Sequence, residues 1–221
     1  MARAAASERV TRPSADATRE RILAAALDLF SERSFEGATT REIAARAGVT
    51  QPLLNYHFST KYDLWAAAVD GLFSELRAAL DARARGLRGV NEPTKAKLLI
   101  REFILFSAAH PQLHRVITQE CKTDGPRMDH LVERHVRPLY EGTVARFERL
   151  VEAGHVRGVP VPHLYYILTG AGPTMFVLSP ECRRLTGLDP TAPDVVEAHA
   201  DAVIDLLFGA GSGEEATADT G

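Results

Sequence analysis

Residues 39–61 read TTREIAARAGVTQPLLNYHFSTK, and their spacing predicts two short helices joined by a tight turn. Thr39 with Glu42 three residues later is a capping-box pattern that starts the first helix. Ile43, Ala44 and Ala47 supply its apolar face. Gly48 ends it, because glycine tolerates the left-handed backbone that a sharp turn needs. Thr50 is positioned to cap the second helix, with Pro52 in its first turn, where a missing N–H costs little. Ala44 lets the two helices cross closely, Gly48 turns the corner, and Leu54 packs back on the first helix, which is the constraint set of a helix-turn-helix. Leu54 and Phe58 then face inward, while Gln51, Pro52, Asn55 and Tyr56 face outward as a stripe suited to base edges in a major groove. An ordinary helical hairpin with a solvated polar face would show much of the same pattern, so the flanking sequence has to separate the two readings.

The flanks do so. TRERILAAALDLFSERSFEGATTREIAARAGV (residues 18–49), then NYHF (55–58), then KYDL (61–64) resembles the N-terminal domain of the TetR family of transcriptional regulators. Three positions depart from that family's pattern: Ser34 and Pro52 stand where glycine is usual, and Asn55 stands where tyrosine is usual. The last two lie on the second helix of the motif and bear on base and phosphate contact. The resemblance implies an all-α protein, with an N-terminal three-helix helix-turn-helix DNA-binding domain and a C-terminal helical ligand-binding and dimerisation domain. It further implies a homodimer on a near-palindromic double-stranded DNA operator, acting usually as a repressor and released by a small-molecule effector. Candidate DNA contacts are Thr39, Thr40, Arg41, Thr50, Gln51, Pro52, Asn55, Tyr56, His57 and Lys61. Within this set Gln51 and Asn55 suit base edges, and Thr39 and Lys61, at helix starts, suit phosphate. A transcriptional activator of the same fold is one alternative. A helical ligand-binding protein or enzyme with a vestigial head is another.

The rest of the 221 residues fits this frame. The chain is 45% hydrophobic with a net charge of −3, so its total charge does not announce nucleic acid. Residues 1–62 carry a net of +2 and the remainder −5, a mildly basic head on an acidic body. Cys121 and Cys182 lie far apart with no metal-ligand spacing, which favours a reduced chain. No N-terminal apolar segment suggests export and no apolar run reaches membrane-spanning length, so a soluble, cytoplasmic protein is expected.

The expected organisation is a flexible basic arm over 1–15 with Arg3, Arg9 and Arg12, the DNA-binding domain over 16–62, the effector and dimerisation domain over 63–208, and a disordered tail over 209–221. Helical periodicity places helices at about Thr18–Arg33, Thr60–Arg83, Thr94–Ala109, Pro111–Cys121, Pro126–Ala153, His163–Leu178 and Pro193–Phe208. The helix near 163–178 is apolar on nearly all sides, and the last helix carries an apolar stripe. Leu168, Val195, His199, Ala202, Val203 and Leu206 are therefore the candidate dimer interface, in line with the pairing through the last two long helices that the resemblance implies. Candidate pocket residues for the effector are Phe103, Phe106, His110, Met128, His135, Tyr140, Tyr165, Tyr166, Met175 and Phe176. His110 with His114, and His130 with His135, come without HExxH, CxxC, a nucleophile elbow or a phosphate-binding glycine loop. No enzyme, cofactor or metal site is expected from them.

Overall fold

The computed structural model describes residues 14–156 and 158–209, and every regular element among them is helical. Arg3, Arg9 and Arg12 of the expected arm and residues 210–221 of the expected tail lie outside this range. The described residues divide into two compact units between Ala68 and Val69.

The first unit holds α1 (Ala15–Gly37), α2 (Thr40–Arg46), α3 (Gln51–His57) and the start of α4 (Lys61–Gly86). The chain becomes helical three residues earlier than the periodicity suggests, because the Ser14 hydroxyl accepts from Ala17 N–H at 3.1 Å and caps α1. Ile22, Ala26, Leu29 and Phe30 of α1 bury against Ile43 and Ala44 of α2, Leu54 of α3, and Leu64 and Trp65 of α4. Near the end of α1, Ser34 leaves helical geometry at φ 64° and ψ 173°, the one non-glycine residue with positive φ among those described. That backbone region suits glycine almost exclusively. It gives a physical reason for the family's glycine at this position, and for strain where this chain has serine.

The second unit takes α4 from Val69, then α5 (Glu92–Ala109), α6 (Pro111–Glu120), α7 (Pro126–Leu131), a π-helical segment (Val132–Val136), α8 (Arg137–Glu152), α9 (Val161–Val177), α10 (Ser179–Thr186) and α11 (Pro193–Phe208). Its core is built from Ile100 and Ile104 of α5, Phe147 and Leu150 of α8, Leu164 and Phe176 of α9, and Ala200, Ile204 and Phe208 of α11. Gly172 lets α9 cross α5 closely: a Cβ there would stand 3.4 Å from Ile104 Cγ1.

Two elements differ from the sequence expectation. The single helix expected over Pro126–Ala153 is interrupted by the π segment, where Arg137 N–H bonds to the Val132 carbonyl five residues back. Pro138 follows directly. A proline lacks an N–H and its ring collides with the carbonyl four residues earlier, and the wider turn gives the ring room. Helix α10 has no counterpart in the expectation, since its polar sequence SPECRRLT buries only Ser179 and so carries no apolar stripe. No helix among the described residues is long and apolar enough to cross a membrane.

Candidate DNA-binding face and body cavity

The two motif helices are set by local devices. Thr39 Oγ1 accepts from Glu42 N–H at 3.2 Å, while the Glu42 carboxylate takes Thr39 N–H at 3.2 Å and Thr39 Oγ1–H at 2.8 Å, a complete capping box. Those bonds, with Arg33 at 2.5 Å, hold the Glu42 carboxyl below the usual carboxylate range. Helix α2 ends in paired bonds, Gly48 N–H to Ala45 O at 3.1 Å and Val49 N–H to Ala44 O at 3.0 Å, with Gly48 at φ 64°. This Schellman arrangement requires the left-handed residue that glycine supplies. It aims the chain into α3.

Helix α3 buries Leu54, 1% exposed, and Phe58 at its end, over which the Arg19 guanidinium lies at 5.3 Å. Gln51, Pro52, Asn55 and Tyr56 are exposed on the opposite side, Tyr56 at 82%. Leu53, also exposed, joins them and was missed, because leucine reads as core from sequence alone. Thr50 stands at the start of α3, but its side chain makes no capping bond. Gln51 Nε2 instead reaches Thr40 Oγ1 at a long 3.4 Å. His57 is half-buried with its ring edge-on to Tyr56 at 5.4 Å. Arg41 is exposed on α2.

Two expected phosphate donors are engaged within the head. Both the N–H and the O–H of Thr39 go to Glu42, so Thr39 orients α2 rather than offering a donor outward. The Lys61 ammonium lies 4.5 Å over the Phe35 ring. That contact is weak enough at a half-exposed site to be exchanged for a phosphate.

The second unit encloses a cavity of about 650 Å³. Of the expected pocket residues, Phe103, Met128, Tyr165 and Tyr166 line it. The other six have different surroundings. Phe106 and His110 stack on each other at 4.3 Å, Tyr140 stands edge-on to Tyr165 at 4.9 Å, and Met175 packs against the core. Phe176 is fully buried against His199. His135 stacks on Phe73 at 4.5 Å. The sequence reading missed the α6 face, where Leu113, His114, Ile117, Thr118, Cys121 and Lys122 all line the cavity. Pairs recurring every four residues were the available signal.

His135 belongs to a separate network. Its Nε2 and that of His130 meet Asp70 Oδ1 at 2.6 and 2.7 Å, Arg134 Nε reaches Asp70 Oδ2 at 3.3 Å, and Arg77 Nη1 meets His135 Nδ1 at 3.0 Å. The two histidines and Asp70 lie close enough together to suggest a metal site. The Arg77 contact argues otherwise. A guanidinium only donates, so Nδ1 must accept and Nε2 must carry the proton that goes to Asp70. A metal on Nε2 would move that proton to Nδ1, facing Arg77. Second-shell partners of metal-bound histidines are acceptors. The cluster is a hydrogen-bond network pinning the π segment to α4. Burial pushes the His135 imidazole below its ordinary pKa, against the pull of Asp70. Burial raises the Asp70 carboxyl, but the bonds from His130 and His135 outweigh it and hold that group low.

The expected dimer residues also separate. Leu168 and Val203 are buried in the second unit's own core, and Leu168 lines the cavity. His199 Nε2 donates to the Ala171 and Gly172 carbonyls at 3.1 and 3.0 Å, tying α11 to α9. Val195 is half-buried, Ala202 is exposed, and Leu206 is 60% exposed. The apolar stripe of α11 is wider than its own core needs, which leaves Leu206 and Ala202 outside. Tyr166, Ile167 and Leu178 add exposed apolar surface on and next to α9.

The family model for bacterial regulatory proteins of the tetR family matches residues 22–68. The HTH-type transcriptional regulator RutR of Escherichia coli strain K12 is 26% identical over 175 residues, covering 77% of this chain and 79% of the relative. The class A tetracycline repressor protein from transposon 1721 of Escherichia coli is 43% identical over 146 residues, 66% of this chain and 60% of that protein. Among solved structures, AibR in complex with isovaleryl coenzyme A and operator DNA superposes with a TM-score of 0.70 at 19% identity, covering 87% of this chain and 98% of AibR. Residues 22–68 thus carry the helix-turn-helix domain of the tetR family of bacterial regulatory proteins, and with these relatives they support a TetR-family DNA-binding transcriptional regulator.

Proposed function

We propose that the chain works in the cytoplasm as a homodimeric repressor, binding a near-palindromic operator through α3 and leaving it when a small molecule fills the cavity of the second unit. The carrying observation is the exposed face of Gln51, Pro52, Asn55 and Tyr56, held outward by the buried Leu54 and Phe58. The Gln and Asn amides both donate and accept, which suits an adenine edge, and the Tyr56 ring and Pro52 offer apolar contact to a thymine methyl. Lys61 and Arg41 supply positive charge near phosphate. The exposed Leu206 and Ala202 of α11, with the exposed apolar groups on α9, support pairing of two copies. The cavity supports a ligand of drug-like size.

Selection of bound sequences from random DNA by the full-length protein tests this reading. An inverted repeat with half-sites about one helical turn apart, or a multiple of it, is the expected outcome. Leu206→Glu should reduce the selected site to a single half-site, because it places an unpaired charge in the pairing surface. Selection of no sequence, or of a site without two-fold symmetry, contradicts it.

A further inference from the structure

The wall of the cavity is electrically lopsided. Its lining holds no aspartate or glutamate, and Lys122 is its one fully charged side chain among the described residues. Lys122 forms no ion pair among these residues. The neighbouring Glu120 is bound to Arg127 at 2.6 Å, so that carboxylate does not offset the lysine. Burial disfavours charge on three further groups of the wall. Burial pushes His114 down, pushes the Cys121 thiol up with help from Glu120, and pushes Tyr165 up to about 12.

Three hydroxyls of the wall are oriented as well. Ser107 donates to the Phe103 carbonyl at 2.7 Å, Thr118 to the His114 carbonyl at 2.8 Å, and Thr169 to the Tyr165 carbonyl at 2.9 Å. With their hydrogens committed to the backbone, all three turn only lone pairs to a ligand. A carboxylate beside them would face acceptors. Its one full counter-charge is at the Lys122 end. The residues of α6 that line the cavity run from Leu113 to Thr118, a rise of about 7.5 Å at ~1.5 Å per residue, and the turn after the helix adds Cys121 and Lys122. Facing them are Phe73, Leu76, Val132, Val136 and Leu139, all apolar.

From this we infer that the cavity takes an elongated apolar molecule with a single anionic head, its carboxylate or equivalent oxyanion on Lys122 and its apolar body lying along α6 between Phe73, Leu76 and Val136. The inference rests on the reading of this cavity as the effector site. A cationic amphiphile of the same length meets like charge at one end and no counter-charge elsewhere. A neutral one loses the charge-assisted hydrogen bond.

The test uses the full-length protein and Nile red, a neutral apolar dye, as the reporter of cavity occupancy. Decanoate, methyl decanoate, decanol and decylamine compete for it, since they share one apolar chain and differ in the head group. Decanoate should displace the dye at about tenfold lower concentration than the ester or the alcohol, the range expected for a hydrogen bond to a charged group. Decylamine should be weakest. Lys122→Met keeps the stem and removes the charge, and it should bring decanoate level with the ester. Equal displacement by acid and ester, or an acid preference that survives Lys122→Met, overturns the anionic assignment. So does failure of all four probes to displace dye that is bound in the cavity. Gly170→Leu separates failure of the inference from failure of its premise. Gly170 lines the cavity and an added Cβ there meets nothing within 4 Å, so Gly170→Leu adds bulk to the wall with no contact at Cβ. Nile red binding that is unchanged by Gly170→Leu means that the cavity is not the binding site, and both readings then fall.

Discussion

In the head, two helices of seven residues are held by local devices: the caps at both ends of α2, Pro52 in the first turn of α3, and ion pairs such as Arg46 to Glu32 at 2.8 Å. In the body, helices of 16 to 18 residues share one apolar cluster. Seven residues are too few for a stable helix in water, so each end of the motif helices needs its own device. The long helices take their stability from burial instead, and they tolerate a cavity of about 650 Å³ beside the core. A surface that must meet DNA in one geometry is built from local constraints. A chamber that can admit a guest is built from distributed packing.

The contrast is broken most directly in the body's core. Phe176 is fully buried. Phe176→Ala should cost about 3–5 kcal/mol in chemical denaturation of the second unit's signal. A loss under about 1 kcal/mol would mean that the cluster does not carry the body.

Acid should separate the two units next. His135 is buried and held below its ordinary pKa of 6.5. Below that pH the unfolded chain takes a proton that the folded chain refuses, so stability falls as pH drops from 6.5. Asp70, also held low, adds a second loss as pH falls through and below 3.8. Thermal melts at pH 7.5 and 5.5 should show the body losing stability. His135→Phe, which keeps the stack on Phe73, should flatten the step between those two pH values even though it removes the Asp70 bond. An unchanged step would place its origin elsewhere.

The same contrast explains how much was legible in the sequence. Thr39 with Glu42 announces its cap within four residues and the box forms as read, and Thr60 with Asp63 makes the same arrangement at the start of α4 with bonds of 3.0 Å. The inward turn of Leu54 and Phe58 followed from helical spacing alone. In the body, the same spacing identified α5 and α11 but could not say which side of α11 the monomer would claim. Val203 is buried within the second unit, whereas Leu206 stays on its surface. Large aromatic residues were taken as cavity lining because they supply contact area. Their size equally suits a core, which is where Phe106 and Phe176 lie. The polar face of α6 and the turn after it passed unread, because His114, Thr118 and Lys122 become a wall only when the other helices of the unit close the cavity around them. The π segment was hidden because its cause, Pro138, acts on carbonyls preceding it.

Smaller changes sharpen the head's side of the comparison. Thr39→Ala removes the hydroxyl half of the capping box, leaving the Glu42 carboxylate on the backbone N–H, and should destabilise the head by about 1 kcal/mol, with a proportionate loss of operator affinity. No change in either would mean that α2 is held by packing alone. Ser34→Gly should act in the opposite direction by about 1 kcal/mol or less, since relief of the positive φ exceeds the entropy that glycine adds to the unfolded chain. Ser34→Ala should give no gain. A head stabilised as much by alanine as by glycine would refute the strained conformation.

The central claim is that the outward face of α3 reads base edges while the surrounding cations read phosphate. Salt titrations of Asn55→Ala and Lys61→Ala on selected operator and on scrambled DNA test it most directly. The account predicts that Asn55→Ala loses roughly 1–3 kcal/mol on operator, little on scrambled DNA, and its preference at one base pair of each half-site. Lys61→Ala should weaken binding to both DNAs alike and lower the salt slope by about one phosphate. An equal loss on both DNAs for Asn55→Ala would make Asn55 a phosphate contact and contradict the assignment of base reading to this face.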